Sequence, residues 1–315
     1  MEIRYLSHGK HETGGYRHGL FFAQQLHNKF EESTITVLRN KQTFRKLNHL
    51  KLQYWGFTNS SAALQVVPVR LAFISIFRNL FTKGRVFIIM HNYDETDGKG
   101  WLLRFYYHLL FIFLKMNSSG RFRVITDSPF FMDQFGKGIK LPIVLFPNFF
   151  DTQKLLVFRK ERKDRKIHLG QWSEKNSPYI FVLAEQLSAL SFECYFSTLN
   201  KNAQSTTKTY QISYFDTYDC YLEEMSKCAF SLALPSVNEG WNRVAHESIL
   251  VGTTVIGFDK GGLGYLLREA SMIIVKNIEE AYQKVLEGNH PKPSIAFIEK
   301  YDISNAAAFL ENQID

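Results

Sequence analysis

Cysteine is scarce. Cys194, Cys220 and Cys228 are the only three in 315 residues, and their spacing makes neither a metal motif nor a disulfide framework. That argues against a disulfide-stapled secreted scaffold and for a reducing, cytoplasmic compartment. No apolar run reaches the length of about 20 residues that a membrane-spanning helix needs. The longest candidate, Trp101 to Met116 (WLLRFYYHLLFIFLKM), is too short and carries Arg104 and His108. No secretory leader is expected, because Glu2 and Arg4 interrupt the start and Ser7-His8-Gly9 follows. The chain has no internal repeat, no low-complexity tract, no Gly-x-Gly-x-x-Gly and no Asp-x-Asp. Acid is in deficit too: Lys and Arg number 38 against 30 Asp and Glu, a net charge of +8. A basic surplus suits nucleotide phosphates, a polyanion or an acidic membrane face, or is simply a solvated surface. The basic run from Arg159 to Lys166 (RKERKDRK) lacks interleaved aromatics. It reads as a linker, and nucleic acid is not an expected partner.

What is present is a globular α/β pattern. Hydrophobic residues make up 45% of the chain, too many for a disordered one. Met1 to Leu6 reads as a strand, Ser7 to Gly15 as a loop ending in Gly14-Gly15, and Tyr16 to Phe30 as an amphipathic helix. Strand, Gly-containing loop and helix form the layout of a Rossmann-like unit, although adjacent glycines also make plain turns. Ser33 to Leu38 is a second strand, 39 to 65 a variable basic loop region, and Val66 to Leu80 a helix. The apolar run Arg85 to Met90 is a buried strand ending at His91-Asn92, where parallel strands present residues to a ligand crevice. Trp101 to Met116 reads as a core helix. Its alternative is an aromatic face, flanked by Arg104, Lys115, Arg121 and Arg123, that rests peripherally on an anionic membrane. Further strands are expected at Arg123 to Thr126, Pro142 to Phe146, Ile167 to Leu169, Tyr195 to Leu199, Ala229 to Leu234 and Met272 to Val275. Helices are expected at Ser128 to Phe135, 178 to 190, Asp219 to Cys228, Ile278 to Glu287 and Ile295 to Ile314.

The chemistry concentrates in Leu234 to Leu267, LPSVNEGWNRVAHESILVGTTVIGFDKGGLGYLL. Glu239 lies in a polar turn. Glu247 follows on a short helix that Gly252 ends, and after the strand Thr253 to Phe258 comes a second Gly-rich turn, Lys260 to Gly264. N–H groups at a helix start carry partial positive charge and attract phosphate; Gly240, Trp241, Asn242 and Arg243 stand there. Glu247 is one turn further on, roughly 6 Å at 1.5 Å per residue, about the reach from phosphate to ribose. A carboxylate that only accepts hydrogen bonds suits a ribose diol. The same residues also fit an ordinary strand–helix–strand unit with two solvated glutamates.

Glu239 and Glu247, with the flanking P-S-x-x-E-G, the V-G-T-T-V-I-G strand and the G-G-L turn, resemble the Glu-x7-Glu motif of retaining GT-B glycosyltransferases of group 1 (family 4). Pro147 to Thr152 (PNFFDT) resembles the P-N-G-V-D-T that closes their first domain, with Phe149 in place of Gly. The segment Gly170 to Asn176 resembles their G-R-x-x-x-x-K-G, in which Arg and Lys clamp the diphosphate. Lys175 matches the Lys, while Gln171 replaces the Arg and supplies no charge; Arg243 or Lys260 is the expected substitute. Asn242 stands where the family has a second Gly.

The resemblance implies an α/β fold of two Rossmann-like domains facing a cleft: an acceptor domain over 1–150, a donor domain over 151–294, and a final helix, 295–315, crossing back to the first. It implies a nucleotide-sugar donor, with Glu239 serving the donor sugar and His91 lining the opposite wall as the catalytic pair. The diphosphate is expected at Gly14, Gly15, Lys175 and the N–H groups of Gly240 to Arg243, the ribose at Glu247, and the base near Gln171 and 199 to 216. No metal or other cofactor is expected. The implied reaction is sugar transfer with retention to a saccharide or lipid-linked acceptor in polysaccharide or glycoconjugate synthesis, in the cytoplasm or at the inner face of the membrane. Two other readings fit the same architecture: a nucleotide-sugar epimerase or phosphorylase, and an inactive nucleotide-sugar-binding component of an assembly complex.

Overall fold

The computed structural model describes residues 1–7, 14–30, 32–39, 48–59, 63–91, 101–116, 120–159, 163–173, 176 and 178–314. The chain divides into two compact units, Met1–Asn148 with Ala306–Asp315, and Phe149–Asn305.

The first unit alternates β1 (Glu2–Ser7), α1 (Gly14–Lys29), β2 (Thr34–Arg39), α2 (Asn48–Asn59), β3 (Leu64–Pro68), α3 (Val69–Leu80), β4 (Arg85–Met90), α4 (Trp101–Met116), β5 (Phe122–Thr126), α5 (Pro129–Gly136) and β6 (Ile143–Leu145). Its six parallel strands run in the order β2-β1-β3-β4-β5-β6. Strand alternation sorts the core: Val86, Ile88 and Met90 of β4 pack with Leu52 of α2, Leu71 and Ile76 of α3, Leu110 and Leu114 of α4, and Phe131 of α5. The interleaved Phe87 meets Phe22 of α1, ring centroids 5.6 Å apart. Helices α2 to α5 therefore cover one face of the sheet and α1 the other.

Three expectations fail here. Residues 39 to 65 are not all loop, since α2 and the start of β3 lie within them. The helix expected from Val66 begins only at Val69, because Leu64 to Pro68 is a strand buried between β1 and β4. Pro68 sets the switch. It disfavours helical backbone in the residue before it, and at φ −67° it caps α3. Gly14 and Gly15 open α1 rather than ending a loop.

The second unit holds α6 (Thr152–Leu156), β7 (Lys163–Gln171), α7 (Ile180–Ala189), β8 (Glu193–Thr198), β9 (Ser205–Thr206), β10 (Gln211–Tyr214), α8 (Tyr218–Ser226), β11 (Cys228–Ala233), α9 (Arg243–Leu250), β12 (Thr254–Phe258), α10 (Gly262–Glu269), β13 (Ile273–Val275), α11 (Ile278–Glu287) and α12 (Ile295–Lys300). Its sheet runs β13-β12-β11-β7-β8-β10-β9, with only β9 antiparallel. Leu183 and Leu187 of α7 and Ala281 and Val285 of α11 pack on one face. Leu222 of α8, Ile249 of α9, Leu266 of α10 and Phe297 of α12 pack on the other.

The second half of the basic run at 159 to 166 is not a linker, because β7 starts at Lys163 and lies between β11 and β8. Lys166 is buried and ion-paired with Glu193 and Glu224. Nor is 295 to 314 one helix. The chain breaks after α12, where buried Tyr301 sends its hydroxyl to Glu269 and Asp302 accepts from the N–H and hydroxyl of Thr152. A separate α13 (Ala306–Ile314) then packs against α1.

Candidate functional site

The second unit's site begins where β11 ends. Glu239 leaves the strand through Pro235 and Ser236 and forms an isolated bridge to Gly261. The Gly262 N–H donates to the Glu239 carbonyl at 2.8 Å. At Gly261 the backbone has φ +60°, and a Cβ built there would lie 2.3 Å from the Glu239 carbonyl oxygen. Both facts require glycine. The Lys260 ammonium closes the same turn on the Ser236 carbonyl at 2.7 Å. The second Gly-rich segment is thus a clasp on the Glu239 backbone, and Gly262 starts α10 rather than continuing a turn.

Asn242 caps α9. Its Oδ1 accepts from the Ala245 N–H at 2.8 Å, and its Nδ2 donates to Glu239 Oε2 at 2.6 Å. Trp241 does not face outward: it is 5% exposed and its indole N–H donates to His246 Nδ1 at 2.9 Å. The helix ends in a Schellman motif, with Thr253 N–H on the Ser248 carbonyl and Gly252 at φ +92°, as expected for glycine at that position.

Glu247 lies on the inward side of α9, 3% exposed. Its Oε1 accepts from the Tyr218 hydroxyl and from Arg243 Nε, each at 2.7 Å. Burial raises the Tyr218 phenol well above its ordinary range, and the Glu247 charge adds to the effect. Burial alone disfavours the Arg243 cation, but Glu247 and then Tyr218 outweigh it and raise its pKa. The guanidinium also stacks 4.7 Å over the Phe150 ring. The Arg243 side chain is thus paired with Glu247 through its Nε.

Gln171 ends β7 with its side chain exposed, and its carbonyl accepts from Asn176 Nδ2 at 2.9 Å. Lys175 lies outside the described residues. The 199 to 216 region, expected beside the base, carries β10 and the edge strand β9.

In the first unit, His91 follows β4 and its Nδ1 lies 3.0 Å from Asp127 Oδ2, at the end of the neighbouring β5. Adjacent parallel strands bring the two together. His18 of α1 sets its ring edge-on to His91, centroids 4.7 Å apart, and its Nε2 lies 2.6 Å from the Phe146 carbonyl. Gly14 and Gly15 open the same helix; the loop before them lies outside the described residues, as does Asn92. Sequence reading missed Asp127, Tyr218 and His18. Asp127 was the most findable, since it follows a buried strand directly, as His91 does. Among the described residues no group of three His, Cys, Asp or Glu side chains is placed to hold a metal ion.

No family model matches the sequence, and no curated protein matches it. Solved structures do match. Anabaena HepE in complex with UDP-glucose superposes with a TM-score of 0.71 at 12% identity, covering 99% of each chain. Sucrose-phosphate synthase from Thermosynechococcus elongatus gives a TM-score of 0.71 at 10% identity, over 99% of this chain and 97% of its own. A glycosyltransferase from Rickettsia africae gives 0.62 at 15% identity, over 100% and 94%. The chain has the fold of these GT-B glycosyltransferases, built from two Rossmann-like domains.

Proposed function

We propose that the protein is a retaining, metal-independent glycosyltransferase that moves a sugar from a nucleoside diphosphate to a saccharide or lipid-linked acceptor. The observation that carries this is the pair of carboxylates built around the start of α9. Glu239 is clasped by Gly261-Gly262 and held by Asn242, and Glu247 is buried against Tyr218 and Arg243. A solvated pair of glutamates needs none of this support. The same fold in HepE, crystallised with UDP-glucose, favours a nucleotide sugar as the ligand of this chain.

In this reading the helix start of α9 receives the diphosphate, the Glu247 carboxylate takes the ribose hydroxyls, and Glu239 accepts from donor-sugar hydroxyls. Glu239 also steadies the positive charge that develops at the anomeric carbon. The carbon–oxygen bond to the diphosphate breaks, the acceptor oxygen bonds to the same face, and the departing phosphate takes the acceptor proton. No enzymic nucleophile is required, and stabilising the leaving diphosphate supplies much of the rate.

The test is a melting series with UDP, GDP and ADP, followed by transfer assays with matching donors. A ligand at about a hundred times its Kd stabilises the native state by about 2.7 kcal/mol, so the right nucleotide separates from the others. Glu239→Gln is expected to keep that shift and lose turnover. Absence of a shift with every nucleotide overturns the reading. An isomerised donor in the absence of acceptor selects an epimerase, and tight binding without turnover selects an inactive binding component.

A further inference from the structure

The second unit has a small hollow between α7 and α11, on the sheet face that does not carry α9. The two helices meet in the core through Leu183 and Leu187 of the one and Ala281 and Val285 of the other. Beside each buried stripe a second one turns outward. On α7 and its N-cap it holds Tyr179, Val182 and Gln186, spaced three and four apart and so on one helical face. On α11 it holds Glu279, Tyr282 and Gln283, with the buried Ile278 as floor. The hollow measures about 140 Å³, less than the roughly 300 Å³ at which pockets for drug-sized ligands begin.

The lining selects the ligand. Tyr179, 65% exposed, and the half-buried Tyr282 supply aromatic surface. Each glutamine amide both donates and accepts, a phenol does the same, and the Glu279 carboxylate only accepts. Among the described residues these five side chains make no hydrogen bond within the protein. A ligand built of hydroxyls answers all of them, since each hydroxyl donates and accepts, while the C–H face of a sugar ring covers a tyrosine. No cation lines the hollow, and Glu279 repels a phosphate, so a nucleotide does not suit it. An amphipathic helix seeks an unbroken apolar stripe, which Gln186 and Gln283 interrupt. We propose that the hollow between α7 and α11 is a saccharide-binding site, separate from the one around α9, that takes a ring of a neutral oligosaccharide. Binding there needs no nucleotide sugar. Its use in transfer does rest on the reading of this chain as a glycosyltransferase: a long acceptor tethered at one ring is held at a higher effective concentration for reaction at another.

The experiment is saturation-transfer NMR of the full chain, without donor, against maltohexaose, mannohexaose and chitohexaose, with a hyaluronan hexasaccharide as the acidic comparison. A signal from at least one neutral hexaose and none from hyaluronan is expected. Tyr179→Ala and Gln283→Ala are expected to weaken that binding roughly tenfold, the worth of one good contact, with unchanged melting. Leu286→Ala, an exposed site on α11 outside the hollow, is expected to bind as the parent does. In transfer assays Tyr179→Ala is expected to raise KM for the hexaose that binds, leaving kcat and the KM of a disaccharide acceptor as they are. Three results would overturn the proposal: no signal from any neutral hexaose, a signal that Tyr179→Ala leaves intact, or equal loss with Leu286→Ala. Binding that depends on Tyr179 in a protein that transfers no sugar supports the site and counts only against the glycosyltransferase reading.

Discussion

The side-chain amide of Asn242 joins the start of α9 to Glu239. Its oxygen accepts from the Ala245 N–H at 2.8 Å, which leaves its nitrogen to donate to Glu239 Oε2 at 2.6 Å. The cap fixes the amide's orientation, since a backbone N–H can only donate and a carboxylate can only accept. A glycine at this position offers neither contact, so Asn242 places the acid as well as ending the turn.

Asn242→Ser separates the two roles. Serine caps about as well as asparagine, so urea unfolding is expected to move by only a few tenths of a kcal/mol. The hydrogen bond to Glu239 is lost, and with it about 1.5 kcal/mol of positioning, which corresponds to roughly tenfold in kcat. Asn242→Ala is expected to lose the same turnover and about 1 kcal/mol of stability as well. Equal kcat in the serine variant and the parent would remove the positioning role.

Glu247 supports α9 as well as any ligand. Removing its charge in Glu247→Ala leaves Arg243 and the Tyr218 hydroxyl without their acceptor in a largely buried place. The expected cost is roughly 2–3 kcal/mol in unfolding free energy. Tyr218→Phe is expected to cost about 1 kcal/mol, and the double variant less than the sum of the two, because both act on one contact. Additive losses in that cycle would show that the contact does not couple them.

His91 is oriented by Asp127. A carboxylate accepts only, so the proton sits on Nδ1 and, in the neutral ring, Nε2 is left as the acceptor. Asp127→Ala is expected to shift the His91 tautomer mixture, read from ring-nitrogen NMR, and to lower kcat roughly tenfold or more through the lost charge-assisted bond. Nucleotide-induced stabilisation is expected to stay as in the parent. An unchanged tautomer would dismiss Asp127 as the orienting group.

Acid stability should report two buried imidazoles. His168 is fully buried, with its ring nitrogens 2.9 Å from Ser231 Oγ and 3.1 Å from Ser197 Oγ. Burial pushes its pKa down to about 3. Burial, then the charge of Arg243, holds His246 well below its usual value. Below an unfolded pKa of about 6.5 the denatured chain takes up protons that the native one excludes. Stability is therefore fully present above that pH and falls as pH drops, by up to about 1.4 kcal/mol per pH unit for each ring. Urea midpoints between about pH 7 and pH 5 measure the slope. In His168→Gln the slope is expected to be shallower by one histidine's share; an identical slope would exclude His168 as a source.

Much of this architecture can be read directly from residue order. The alternation of strands and helices, the helix Ile278 to Glu287, the glycine stop at Gly252 and the two acids around α9 all come from local chemistry. Two of the failures share a cause: polar residues whose partners are distant in sequence. The strand β3 was missed for another reason, since its Val66 and Val67 run straight into the apolar helix that follows Pro68. Lys166 sits in β7 because Glu193 and Glu224 neutralise it there, which no window around 159 to 166 reveals. The stop after α12 depends on Asp302 finding Thr152. At the site, the carboxylates were visible by spacing and His91 by its strand end, but Tyr218, which supports Glu247, and Asp127, which supports His91, were not, since each meets its partner only through sheet and helix packing.

The clasp of Gly261 on Glu239 has a consequence for variation. Alanine at Gly261 brings a methyl group into the Glu239 carbonyl and a residue that resists the positive φ, and the strand behind Glu239 leaves the acid's own loop as the part that yields. A saturation survey of this chain would then rank a residue with no side chain among its most sensitive sites, since the shape of the main chain there decides where an acid many residues earlier points.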